Sequence, residues 1–234
     1  MIITKRGISM NNFDLHKPLP YYLQFYEKIK QMIVNGEYEP GQRINETQLA
    51  KAFGVSRSPI REAMRLLEKD GLLVADQKTG FIVYSLSTED VEEIYQVRTA
   101  LESLAVELCI IRASDEELLF IEQLLERTAE EIKQGAEDSR LIELNERFHQ
   151  LILQYSHNKH LKKQLDSVNV LIYFCRVLNF KGKGRAAEIL DEHQQVFTFM
   201  KKRSLKAVEH MQKHLHHDLV HLQKRLTIRS ASLK

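Results

Sequence analysis

At 234 residues the chain is long enough for two compact domains. Its 34 Lys and Arg against 32 Asp and Glu leave a net charge of +2, which excludes a uniformly basic nucleic-acid coat and an acidic disordered tail but not a local basic surface. No apolar run approaches the roughly 18 residues of a membrane span, the first residues lack a secretory-signal pattern, and two cysteines, Cys109 and Cys175, exclude a disulfide framework or a thiolate-rich zinc site, so a reducing, cytoplasmic compartment is expected.

The breakers divide the chain. Pro18, Pro20, Pro40 and Pro59 are its only prolines, and the 175 residues after Pro59 contain none. A tail (1–17) is therefore followed by a short punctuated segment (18–85) and a long helical remainder (86–230). In the first segment, Leu23, Tyr26, Ile29, Ile33 and Val34 recur at helical spacing and Gly36 follows as a stop. Pro40-Gly41 marks a turn. Asn45 then opens a two-turn helix ending at Gly54, with Gln48 in the place of a capping-box partner. A third helix begins within Ser56-Arg57-Ser58-Pro59, where first-turn amides need no partner, and stops at Gly71. Leu72 to Ala75 and Phe81 to Ser85 read as short strands around Asp76-Gln77-Lys78-Thr79-Gly80. That order is a winged helix-turn-helix.

The remainder opens with two capping-box signatures, Ser87 with Asp90 and Ser114 with Glu117, before helices of about 88–112 and 115–134. Gly135, His157-Asn158 and Lys181-Gly182-Lys183-Gly184 punctuate further helices of about 139–156, 159–180, 184–202 and 205–228. The fold class is mainly α: a winged helix-turn-helix joined to an all-α antiparallel bundle.

The third helix presents Arg57, Ser58, Arg61 and Arg65 on one side while Ile60, Met64 and Leu67 face inward. A major groove accepts one helix, and arginine at its leading end can contact guanine O6 and N7 together. Hydroxyls at Thr47, Ser56 and Ser58 suit phosphate oxygens. Lys78, Thr79 and Gly80 fall at the hairpin tip, where a wing reaches the neighbouring groove or backbone. Pro40-Gly41-Gln42-Arg43-Ile44-Asn45-Glu46, Leu49 through Ala63 (LAKAFGVSRSPIREA) and Leu66 through Leu72 (LLEKDGL) resemble the GntR family of bacterial transcription regulators over about residues 18–85. The resemblance implies a homodimer on a palindromic double-stranded DNA operator. It implies contacts at Thr47, Ser56, Arg57, Ser58, Arg61 and Gly80, led by Arg57 and Arg61, with Lys78 as a further candidate.

Nine of the ten histidines follow residue 148. Asn145 and His149 lie four apart on a face with Leu141, Phe148 and Ile152. His193 sits in an apolar stripe, and His214 follows Met211 by one turn. Three histidines and an oxygen donor from three helices could converge on one divalent metal: Zn, Ni, Co or Fe, with Mn admitted by the oxygen. Spacing alone leaves His210, His214 and His217 open. Arg98-Thr99-Ala100-Leu101-Glu102, Asn145 through His149, Ser156-His157-Asn158, Glu192-His193 and Met211 through Leu215 resemble the FCD effector domain of the FadR subfamily, spanning about 88–225. In metal-binding members the ligands match Asn145, His149, His193 and His214, with Asn145 standing where aspartate is usual. Zn is the leading ion. The resemblance also implies a small organic acid completing the coordination, with Arg98 holding its carboxylate. Tyr95 and Tyr173 are added as polar handles, and Glu102 as a partner for a buried Arg98.

These readings make the chain a ligand-responsive repressor that leaves its operator when the acid binds. Two rivals differ at the histidines: an acyl-ligand sensor without metal, and a metal-dependent enzyme. No H-E-x-x-H motif supports the enzyme, and Glu146 is expected on a different face from His149, leaving no neighbouring base. Charge is unevenly spread: residues 1–85 carry +3, 86–143 carry −11 and 144–234 carry +10. Near-neutrality overall thus hides a mildly basic head and two bundle halves of opposite sign.

Overall fold

A computed structural model describes residues 19–76, 80–180 and 184–232, so the N-terminal tail and Lys78 lie outside the described residues. Helix α1 (Tyr21–Val34) buries Ile29, Ile33 and Val34. Helix α2 (Glu46–Phe53) starts where Asn45 Oδ1 accepts the amides of Thr47 and Gln48 at 2.9 and 3.2 Å, a cap worth about 1 kcal/mol. Helix α3 (Arg57–Lys69) turns Ile60, Ala63, Met64 and Leu67 fully inward against α1 and α2. Each large side chain so buried stabilises the head by about 1.5–3 kcal/mol. Both expected strands form, as β2 (Leu73–Ala75) and β3 (Phe81–Val83), with Leu73 opposite Val83 and Ala75 opposite Phe81. A further strand, β1 (Arg43–Ile44), pairs antiparallel with the other edge of β3, giving the order β1-β3-β2. Two residues are too few to show the alternation that announces a strand.

The bundle comprises α4 (Thr88–Arg112), α5 (Asp115–Lys133), α6 (Asp138–Tyr155), α7 (Lys159–Phe180), α8 (Arg185–Lys201) and α9 (Lys206–Ser232). Both capping boxes are made: Ser87 with Asp90 and Ser114 with Glu117 satisfy the first turns of α4 and α5 reciprocally. Helix α4 is the hub and packs against α6, α7, α8 and α9, while α5 leans on α6 and α8. One core cluster, including Val106, Ile121, Phe148, Ile152, Val196 and Leu215, fills the far end of the bundle. A second runs from Ile29, Ile60, Leu67 and Phe81 of the head into Leu141, Phe174, Cys175 and Ile189 of the bundle. Head and bundle approach closely at Gly71, which has φ +80; a Cβ there would lie 3.1 Å from Leu171 Cδ1 on α7.

The opposite face of α4 is unusual for its apolar content. Val97, Leu104 and Ile111 are exposed, and the half-buried Leu101 and Leu108 lie between them. Their spacing of four and three residues is the heptad seam of helix pairing. No helix among the described residues is long and apolar enough to cross a membrane.

Candidate functional site

Two regions collect the chemically informative side chains. On the head, Thr47, Arg57, Arg61, Arg65 and Gly80 line one groove of about 520 Å³ together with Asn45, Glu46 and Phe81. Ser56 and Ser58 are exposed at the leading end of α3, outside that lining. The residue missed from sequence is Glu46. Its carboxylate accepts from Arg57 Nη2 at 3.3 Å and from Arg61 Nε at 3.1 Å. As the first residue of α2 it reads as an ordinary acidic helix start, and only the tertiary turn brings α3 to it. Such exposed pairs contribute little stability, but they hold both guanidiniums across the groove. Gly80 has φ +101, and a Cβ would lie 2.9 Å from the Ile44 carbonyl oxygen. Glycine is therefore required by the β1–β3 approach itself, apart from any contact with DNA.

Inside the bundle, α6 supplies Asn145 and His149, α8 supplies His193 and α9 supplies His214, and all four are buried. One ligand atom from each histidine lies within 4.8 Å of the other two, and His193 Nε2 is 3.2 Å from His214 Nε2. Geometry thus selects among the α9 histidines: His210 stacks on Phe199, and His217 faces solvent with its Nδ1 2.9 Å from Glu192. His214 Nδ1 sits 2.7 Å from Glu192 Oε2. His149 Nδ1 lies 2.6 Å from Glu102 Oε2, although the ring N–H is not aimed at that oxygen and neither atom completes a hydrogen bond. A carboxylate beside Nδ1 of His149 and of His214 is the orientation usual for ligating histidines, and it turns Nε2 of His214 toward His193 and Nε2 of His149 toward Arg98.

Burial lowers the His149 pKa to about 4, against the pull of Glu102, and holds that of His193 well below its ordinary value, with the neighbouring rings adding to the effect. Both rings are therefore neutral near pH 7, the form that binds metals. Asn145 Oδ1 is buried without a partner, and an orphaned carbonyl oxygen costs about 1–3 kcal/mol unless something meets it. Three imidazoles and an amide oxygen are a donor set that fits a divalent transition ion.

Around the histidines lies an ion-pair network that spacing did not reveal. Arg98 is fully buried; its Nε donates to Glu102 at 2.9 Å and its Nη1 to Asp218 at 3.2 Å, and its Nη2 is 3.4 Å from His149 Nε2. Glu102 is thus the partner that sequence reasoning named, and Asp218 is one it did not. Arg176 on α7 donates to Glu102 at 2.9 Å and also to Glu146. Arg185 donates to Asp218 at 2.6 Å, and Asn179 meets the same carboxylate. Burial alone would raise the pKa values of Glu102 and Asp218. For Glu102, Arg98, His149 and Arg176 hold it well below the ordinary range, and for Asp218 His214, Arg98 and Arg185 lower it.

A cavity of about 30 Å³ opens beside this network, lined among others by Glu102, Glu146, His149, Gln150, Asn169 and Arg176. It holds about one water. Two expectations are corrected here. Glu146 shares the cavity with His149 instead of pointing elsewhere, because residues three apart on a helix lie on one side. Tyr173 is not on the cavity. It follows Ile172 by one residue and is therefore rotated by about 100°, which packs it half-buried in the cluster joining bundle and head. Tyr95 also stands off the cavity lining: it is almost wholly buried, its ring lies 5.1 Å from the Arg98 guanidinium and its hydroxyl has no partner.

Residues 21–83 match the family described as bacterial regulatory proteins, gntR family, and residues 93–217 match the FCD domain. The HTH-type transcriptional regulator YdhC of Bacillus subtilis (strain 168) is 56% identical over 92% of this chain and 96% of its own length. The Nta operon transcriptional regulator of Aminobacter aminovorans is 30% identical over 78% of this chain and 87% of its own. Among solved structures, E. coli McbR/YncC superposes with a TM-score of 0.70 at 20% identity, covering 93% of this chain and all of that one, a likeness of fold.

Proposed function

This chain belongs to the GntR family of bacterial transcription regulators, with an FCD domain behind its DNA-binding head, and we propose that it is a repressor released from a palindromic operator by a small organic acid held at a divalent metal. The observation that carries the reading is the meeting of three buried histidines from three helices beside a fully buried arginine. Asn145, His149, His193 and His214 hold the ion, with zinc first among Zn, Ni, Co, Fe and Mn. When bound, the ion supplies a Lewis-acidic pole for a carboxylate oxygen. Arg98, Arg176 and the unpartnered Tyr95 hydroxyl hold the acid, while Glu102 keeps both guanidiniums in place without it. A cavity of about 30 Å³ has no room for an acyl chain, and a small acid gains its place by displacing the Glu102 or Glu146 carboxylate from Arg176.

On the head, Arg57 and Arg61 read base edges, Thr47, Ser56 and Ser58 take phosphates, and Gly80 brings the wing close. Linkage requires the acid to favour one placement of the heads over another. Helix α7 supports such coupling: Ile172 and Arg176 line the cavity, and Leu171 rests on Gly71 of the head. The second copy needed for a palindrome covers the α4 stripe of Val97, Leu101, Leu104, Leu108 and Ile111, whose heptad spacing suits a helix paired with its own duplicate.

The test is elemental analysis of the purified protein, followed by gel shifts on an operator selected from random duplexes, with citrate titrated in. Metal at one ion per chain is expected, with citrate weakening operator binding in the wild type and not in His193→Ala. Arg57→Ala is expected to weaken binding about 10–100-fold. Absence of metal would overturn the centre, citrate tightening the complex would overturn the repressor, and undiminished binding by Arg57→Ala would overturn the reader.

A further inference from the structure

The buried histidines have two very different sides. On the cavity stands Arg176, and Arg98 Nη2 lies 3.4 Å from His149 Nε2; both guanidiniums repel a cation and attract an anion. Toward the surface between α8 and α9 lies a groove of about 280 Å³, lined by Glu188, Asp191, Glu192, His210, His217 and the inner His214. Lys213 also borders it, and Arg185 stands 3.9 Å from Glu192, yet acidic groups prevail.

Glu192 joins outside to inside. Its Oε1 is 2.9 Å from Nδ1 of the exposed His217, and its Oε2 is 2.7 Å from Nδ1 of the buried His214. Ligand atoms of Glu192, His214 and Asp218 lie within 4.8 Å of one another, as do those of His149, His193 and His214. The two groups therefore share His214. Asp218 gives one oxygen to Arg185 at 2.6 Å and the other to Arg98 at 3.2 Å, and that second oxygen lies 3.8 Å from His214 Nε2. From solvent inward, each set of cation ligands overlaps the next by one residue.

We propose that the α8–α9 groove is the loading route of the metal centre, with Glu192 and His217 as an outer cation site that hands a divalent ion past Asp218 to His214, His193 and His149. This rests on the metal reading above. An ion loses its hydration water in steps along such a path, each water replaced by a carboxylate or imidazole before the next is lost, and the guanidiniums it passes, Arg98 and Arg185, are already paired with Asp218. His217 is 59% exposed and touches only Glu192 among the groups named, so removing it leaves the inner centre intact.

Full-length protein stripped with EDTA is mixed with Co²⁺ in a stopped-flow instrument, and release to excess EDTA is timed separately. For the double variant Asp191→Asn/His217→Ala, loading and release are both expected to slow about tenfold, the lower end of what a charged cleft adds to association rates, with Kd within twofold of wild type. Gln150→Ala, at the cavity side, is expected to leave both rates unchanged. Wild-type rates in the double variant would overturn the route, as would a weaker Kd at an unchanged loading rate, or slowing in Gln150→Ala. Failure of the wild type to take up Co²⁺ or Zn²⁺ would instead overturn the metal reading and the route with it.

Discussion

Asp218 offers the sharpest test of the bundle's energetics. Its side chain is 3% exposed, and it pairs with Arg98 and Arg185 while accepting from Asn179. Asp218→Ala removes the anion and leaves two guanidiniums in low dielectric with fewer partners. Breaking a buried pair in this way costs about 3–5 kcal/mol. At about 2–4 °C per kcal/mol for a chain of this size, Tm should fall by roughly 10 °C. Asp218→Asn keeps the shape and one acceptor oxygen; because Arg98 retains Glu102 and Arg185 retains Glu188, it should cost less than the alanine. The measurement is urea unfolding of EDTA-treated protein followed by far-UV circular dichroism, since the chain has no tryptophan to report its core. A double-mutant cycle with Arg98→Met should return a coupling above about 1 kcal/mol. A loss below about 1 kcal/mol for Asp218→Ala would refute the view that this carboxylate anchors the network.

The head, the α4 stripe with the dimer proposed on it, and the thiols each give a further outcome. Gly80→Ala should destabilise the head by about 1–3 kcal/mol through its positive φ, with more from the approach to the Ile44 carbonyl, and should abolish operator binding; unaltered hydrogen exchange at β3 would contradict this. Leu104→Glu, in the middle of the α4 stripe, should shift sedimentation from dimer to monomer without loss of helicity, whereas a dimer unaffected by it would move the interface elsewhere. Burial pushes the Cys109 and Cys175 thiols up to about 12, so native protein at pH 8 should react with a disulfide reagent only on unfolding. Prompt labelling of either cysteine would show that its core cluster opens.

What could be read from the chain beforehand was what depends on neighbours. Asn45, Ser87 and Ser114 announce helix starts because a cap and its partner lie within a few residues, and all three caps formed. The head was legible through one continuous motif, whose glycines and apolar spacing describe a turn and a helix face together. His149, His193 and His214 were named through the FCD resemblance, and the fold brings them together. Arg176, Arg185 and Asp218 went unseen because their partners lie 30 to 120 residues away, where no periodicity operates. Glu146 was misjudged despite a local rule that places it on the cavity side with His149. Tyr173 failed for the opposite reason: a polar residue one position from the lining reads as part of it until the helix is set in place. Strand β1 was hidden by its brevity.

The cluster that passes from Ile60, Leu67 and Phe81 into Leu141, Phe174 and Cys175 has a consequence for how the molecule comes apart. A chain cut after Ser85 would expose one wall of the head's own interior, so the reader is not a self-sufficient module carried on a tether. Heating should accordingly give one calorimetric transition in which head and bundle are lost together. No articulated joint separates them: head and bundle press on one continuous apolar seam.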